Sequence, residues 1–101
     1  MNTDQLISHS RARFEHATAR RVLREKYQAK LTFAHAGGLF QATPEMITFL
    51  SMWGNDHIVV KDLYDNPVAV HAVELCNIMK SHHQEQMNAW LTEHNQLSQQ
   101  R

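Results

Sequence analysis

Apolar and polar residues alternate with two different periods along this chain, and the switches between them mark out seven elements. Residues 3–29 run without Gly or Pro and can be capped by Thr3 or Asp4, so they predict a helix. At about 100° per residue, Leu6, Ile7, Phe14 and Ala17 share one face, while Ala12, Ala19, Val22 and Leu23 share another. A helix with two apolar faces is expected to change partners midway or to be gripped from two sides. Residues 31–43 (LTFAHAGGLFQAT) then alternate with period two. Gly37-Gly38 sits where a two-residue hairpin turn needs positive φ, so the segment predicts a hairpin centred on that pair.

Thr43-Pro44-Glu45 is a helix start, with a capping hydroxyl, proline at the first helical position and an acid in the first turn. The helix it opens, Pro44–Trp53, carries Met46, Ile47, Phe49, Leu50 and Trp53. It is expected to be covered, with Trp53 as a core anchor and Gly54 ending it in the left-handed region. His57–Tyr64 contains the β-branched run Ile58-Val59-Val60 and leads to a turn at Asp65-Asn66. Pro67 follows, so the returning strand Val68-Ala69-Val70 is expected at a sheet edge, where a missing N–H is tolerated.

A long helix over residues 71–99 closes the chain. Ala72, Cys76, Met79, His83, Met87, Trp90, His94 and Leu97 recur on it at three- and four-residue steps. Val73, Leu75 and Ile78 broaden the stripe in the first half, which is expected to lie on the sheet. From Lys80 on the stripe narrows to a seam about 20 residues and roughly 30 Å long, more than a small sheet can cover. The N-terminal helix or another subunit is expected there, which makes Met87, Trp90, His94 and Leu97 a candidate interface. The fold class that follows is α+β, in the order α-β-β-α-β-β-α, as a single domain over 1–101. Two hairpins form a small antiparallel sheet, and the long terminal helices pair with each other.

Charge adds one feature to this picture. Ten Lys and Arg balance ten Asp and Glu, but residues 1–30 carry a net +4 and the remainder a net −4. Opposite poles favour docking of one part of the chain on another, or of one copy on the next. Arg13, Arg20, Arg21 and Arg24 form a candidate basic face on the first helix. In a neutral chain a solvated or acid-paired face outweighs a phosphate-binding row. A nucleic-acid-binding regulator using Arg11, Arg13, Arg20, Arg21, Arg24, Lys26 and Lys30 is the first alternative function, and nucleic acid is disfavoured as a partner. Cys76 is the lone cysteine, which excludes an intrachain disulfide and fits a reducing compartment. No segment has the length and apolarity of a membrane span or of a secretory leader.

Candidate chemistry is sparse. Cys76, Met79 and His83 share the apolar face of the last helix and could make a soft copper(I) set, so a small-molecule or metal-binding module is the second alternative. Core packing explains the same residues more simply. No H-E-x-x-H and no nucleophile–base grouping is legible, and Asp56, Asp62 and Asp65 fall at strand ends and turns. No enzyme, no cofactor, no metal site and no catalytic residue is therefore expected.

The order of these elements resembles a small domain of unknown function from tailed bacteriophages. The resemblance rests on GGLFQAT, a turn of the type D-x-x-x-N-P-V at residues 62–68, A-V-E-L-x-x-I-M at residues 72–79, and x-H-H-x-E-Q-M-N-A-W at residues 81–90. It spans roughly residues 12–95. That domain typically closes tail-fibre or tail-assembly proteins. The resemblance implies a non-enzymatic virion or tail-assembly component, or an assembly chaperone. Its partners would be itself or other phage structural proteins, as a homo-oligomer, without a membrane. It would act in the host cytoplasm during assembly and could stay in the virion.

Overall fold

The structure, a computed structural model, describes residues 3–99. Its elements follow the expected order: α1 (Thr3–Lys30), β1 (Thr32–His35), β2 (Gly38–Gln41), α2 (Pro44–Ser51), β3 (His57–Lys61), β4 (Pro67–His71) and α3 (Ala72–Gln99). The result is elongated, 66 × 24 × 19 Å.

The first hairpin pairs antiparallel, with Phe33 opposite Phe40 and His35 opposite Gly38. Its turn is Ala36-Gly37, not Gly37-Gly38. Both central residues have positive φ, 52° and 84°, as a type I′ turn requires. Gly38 belongs to the strand for a different reason. A Cβ there would lie 2.8 Å from Val68 Cγ2 and 3.3 Å from Asp62 Cβ, so the second hairpin can approach only a glycine.

That second hairpin pairs Val60 with Val68 and Ile58 with Val70. Val60, Val68 and Val70 are buried while Val59 is 69% exposed, so one face packs and the other meets water. β3 ends at Lys61, earlier than the expected Tyr64, because Asp62 turns the chain. Its Oδ1 accepts from the N–H of Tyr64 (2.9 Å) and Asn66 (3.0 Å), and its Oδ2 from Leu39 N–H (3.2 Å). Leu63 N–H also donates to Leu39 O, at 2.8 Å. The hairpins are both antiparallel as expected but form two separate two-stranded ladders, not one small sheet, because they are joined at Leu39, Asp62 and Leu63 instead of pairing strand to strand. Pro67 lies opposite Lys61 at the turn end of its ladder, as the first residue of its strand, where its missing N–H is harmless.

The Oγ1 of Thr43 caps α2 by accepting from Met46 N–H. The helix stops at Ser51 and continues as i→i+3 turns, Met52 N–H to Phe49 O and Trp53 N–H to Leu50 O, before Gly54 at φ 55°. This early stop corrects the expectation for Trp53. Trp53 no longer follows Met46 and Leu50 onto α3. It stands 40% exposed, edge-on to Phe49 at 6.1 Å.

The core sits where both hairpins and α2 meet the first half of α3. Phe40, Leu50, Leu75 and Met79 are its fully buried large side chains. Cys76 is buried beside them and its thiol donates to Ile47 O, 3.6 Å away. α1 is gripped from one side only, through Leu23 and Tyr27. Val22, expected on a buried face, is 54% exposed.

Candidate interaction surfaces

The terminal helices run antiparallel, and two groups of contacts fix their register. Nearest the hairpins, His82 Nε2 lies 2.6 Å from Lys30 O. A carbonyl only accepts, so that nitrogen carries the proton. Farther out, Glu93 accepts from Lys26 Nζ (2.9 Å) and from Tyr27 OH (2.6 Å). Tyr27 is 2% exposed, and the ammonium groups of Lys26 and Lys30 lie over its ring. The Tyr27 hydroxyl and the Lys26 ammonium hold the Glu93 carboxyl below the usual range, and Glu93 in turn raises both of its partners.

Beyond this clasp, Ala17, Arg20, Arg21 and Arg24 of α1 and Trp90 and His94 of α3 line a recess of about 300 Å³. Of the two partners expected for the distal seam, the N-terminal helix or another subunit, the N-terminal helix covers part of it. Met87, Trp90, His94 and Leu97 are each half-buried; Met87 packs on the core, and Trp90 and His94 face α1. The candidate basic face divides. Arg20, Arg21 and Arg24 converge on the recess, while Arg13 is exposed without lining it. Among the described residues the ion pair is Lys26–Glu93, and none of the three arginines has a partner. They present unneutralised charge to solvent.

The pairing does not cover the first half of α1. Residues 3–15 of α1 are exposed on every side, about 20 Å of helix at 1.5 Å per residue. Leu6 is 55% exposed, Ile7 51% and Phe14 72%, and the shared face of the sequence pattern is a bare apolar ridge. Phe14, Ala17, Arg21 and Arg24 fall within an arc of about 80° at helical stepping, so this ridge runs straight into the recess.

Cys76 and Met79 are core residues and His83 is half-buried. Among the described residues no three His, Cys, Asp or Glu side chains are grouped as a metal would need, and no helix is long and apolar enough to cross a membrane.

Two features escaped the sequence pattern. The Glu93 clasp joins residues far apart in the chain. The β3–β4 turn sets Leu63 (47% exposed) and Tyr64 (71% exposed) between Asp62 and Asp65. A signal for the turn was present, since an apolar pair inside an acid-bracketed turn has no core to enter. No family model, no curated protein and no solved structure matches the chain.

Proposed function

We propose that this chain is a non-enzymatic assembly component that works by binding other protein chains, in the setting of tailed-phage tail or virion assembly that its element order resembles. The observation that carries this reading is the ridge in the N-terminal half of α1. Three large apolar side chains on one face of a protruding helix are left uncovered by the chain's own fold, and contiguous patches of this kind mark binding surfaces. An amphipathic helix presenting apolar anchors at three- and four-residue steps is a common mode of docking between proteins.

The test is site-specific crosslinking. A photoreactive phenylalanine analogue at position 14 is expected to give discrete protein adducts in cells making the chain, and Leu6→Ser with Ile7→Ser is expected to abolish them. Adducts to nucleic acid alone, or none, would overturn the reading.

A further inference from the structure

The β3–β4 turn and the α1–α3 recess are opposite in charge: the turn carries Asp62 and Asp65, and the recess Arg20, Arg21 and Arg24. The turn is convex and firmly held. Three backbone N–H groups grip the Asp62 carboxylate, and those of Asn66, Leu39 and Tyr64 keep it below the usual pKa range, hence charged. Asp65 takes φ 61°, a conformation that Asp tolerates better than most residues. Tyr64 stands out between the two acids. The recess is concave and lined by residues of α1 and α3 alone. It offers three unpaired guanidinium groups, which suit carboxylates by their forked geometry. It also offers Trp90, an aromatic surface for a second ring.

We infer that the recess of one copy receives the Asp62–Asp65 turn of a second copy, head to tail. Arg20, Arg21 and Arg24 meet the acidic turn, and Tyr64 enters against Trp90. The ridge of Leu6, Ile7 and Phe14 beside the recess extends the contact toward the roughly 800 Å² per partner that stable interfaces bury, because the turn alone is small. The charge split of +4 in residues 1–30 and −4 in the rest orients the encounter. A phosphate backbone would gain from the arginines but nothing from the ridge, and the acidic remainder would repel it. Because the two surfaces differ, the contact is heterologous, and each added copy leaves one recess and one turn open. The product is an open chain of subunits or a ring.

This inference rests on reading the chain as a protein-binding module, and sedimentation of the full chain over a concentration series tests it separately. The parent is expected to grow past a dimer as concentration rises, and to shrink with added salt. Arg21→Glu with Arg24→Glu blocks the recess. Tyr64→Ser with Asp65→Asn blocks the turn, and Asn keeps the left-handed backbone. Each variant alone is expected to be monomeric with unchanged circular dichroism, and the two mixed are expected to form a single 1:1 complex that grows no further. The single variant Arg24→Gln is expected to weaken association about tenfold. A parent that stays monomeric, blocked variants that associate like the parent, or a mixture that stays monomeric would each overturn the inference. So would a fluorescent oligonucleotide that binds the parent and is lost with the two arginines. If position 14 still crosslinks to protein while the blocked variants associate unchanged, this inference falls and the assembly reading stands. If position 14 gives no protein adduct, the assembly reading itself falls.

Discussion

Replacing Gly38 by Ala probes the point where the two hairpins touch, and hence the support under the Asp62–Asp65 turn. The added Cβ would lie 2.8 Å from Val68 Cγ2 and 3.2 Å from Phe40 Cε2, against the 3.5–4.0 Å at which carbon atoms attract. Val68 is buried and β-branched, so its methyl has little rotameric freedom to withdraw. Overpacking of this kind costs about 1–3 kcal/mol. The stiffer unfolded chain returns about 0.4–1 kcal/mol, since Gly38 has an ordinary φ that Ala can adopt. The net expectation is a loss of about 1–2 kcal/mol, or roughly 4–16 °C in Tm for a domain of this size.

Urea unfolding followed by far-ultraviolet circular dichroism measures this, with an unchanged m value required. A double-mutant cycle with Val68→Ala isolates the clash. The pair is expected to be more stable than the sum of the single losses by at least about 0.5 kcal/mol. A neutral Gly38→Ala, or strict additivity with Val68→Ala, would refute the account of Gly38. Gly37→Ala is the control: it meets nothing within 4 Å but sits at φ 84°, so its penalty of about 1–2 kcal/mol is indifferent to Val68.

Further outcomes follow from the same contacts. The folded-state pKa of Glu93 lies below its ordinary 4.5 and that of Asp62 below its ordinary 3.8, so the unfolded chain binds more protons in that window and stability falls as pH drops through it; Glu93→Gln with Asp62→Asn is expected to flatten the acid limb of a Tm–pH profile. Lys26 and Tyr27 are raised above 10.5 and 10.0, so their contribution is intact below those values and is lost as pH rises through the raised ones, with Tyr27 ionisation read at 295 nm. The Cys76 thiol, buried and donating to Ile47 O, is expected to react with a thiol reagent only at the rate of unfolding, and labelling much faster than unfolding would show a local opening of α2 from α3.

Local pattern reached far into this fold because most elements carry their own signals. The cap at Thr43, the β-branched run at Ile58-Val59-Val60 and the long stripe on α3 each agree with the tertiary contacts they make. The misplacements come where a distant residue decides. Ala36-Gly37-Gly38 offers two possible turn centres, and it is Val68, across the hairpins, that keeps Gly38 in the strand. Hydropathy marked Trp53 as core, but the stop of α2 at Ser51 left it at the surface. The two apolar faces of α1 suggested two partners, yet the chain supplies one, at Leu23 and Tyr27. For the candidate site, the sequence placed Trp90 and His94 on one stripe and the arginines on one helix. It could not bring them together, because the antiparallel register depends on Glu93 and His82 reaching across.

That register also separates the packed part of α1 from the exposed ridge proposed to bind, and a deletion tests the division. Leu23 and Tyr27 are the buried residues of α1, and the clasp to Glu93 and the bond from His82 all fall at residues 26–30. Residues 3–15 are exposed throughout, and exposed substitutions away from special features shift stability by about 0.5 kcal/mol or less. Deleting residues 1–14 removes the ridge and leaves the recess lined as before, with Ala17, Arg20, Arg21 and Arg24 in place. The expected loss of stability is about 1 kcal/mol, which is the cost of a new and poorly capped helix start. Adducts of the kind formed at position 14 have no site left, and self-association is expected to weaken without disappearing, because the turn still meets the arginines. Leu23→Ala gives the opposite result, a loss of roughly 2–5 kcal/mol with the ridge intact. A truncated chain that unfolds non-cooperatively would show that the ridge stabilises the monomer, and its exposure could then no longer stand as the mark of a binding surface.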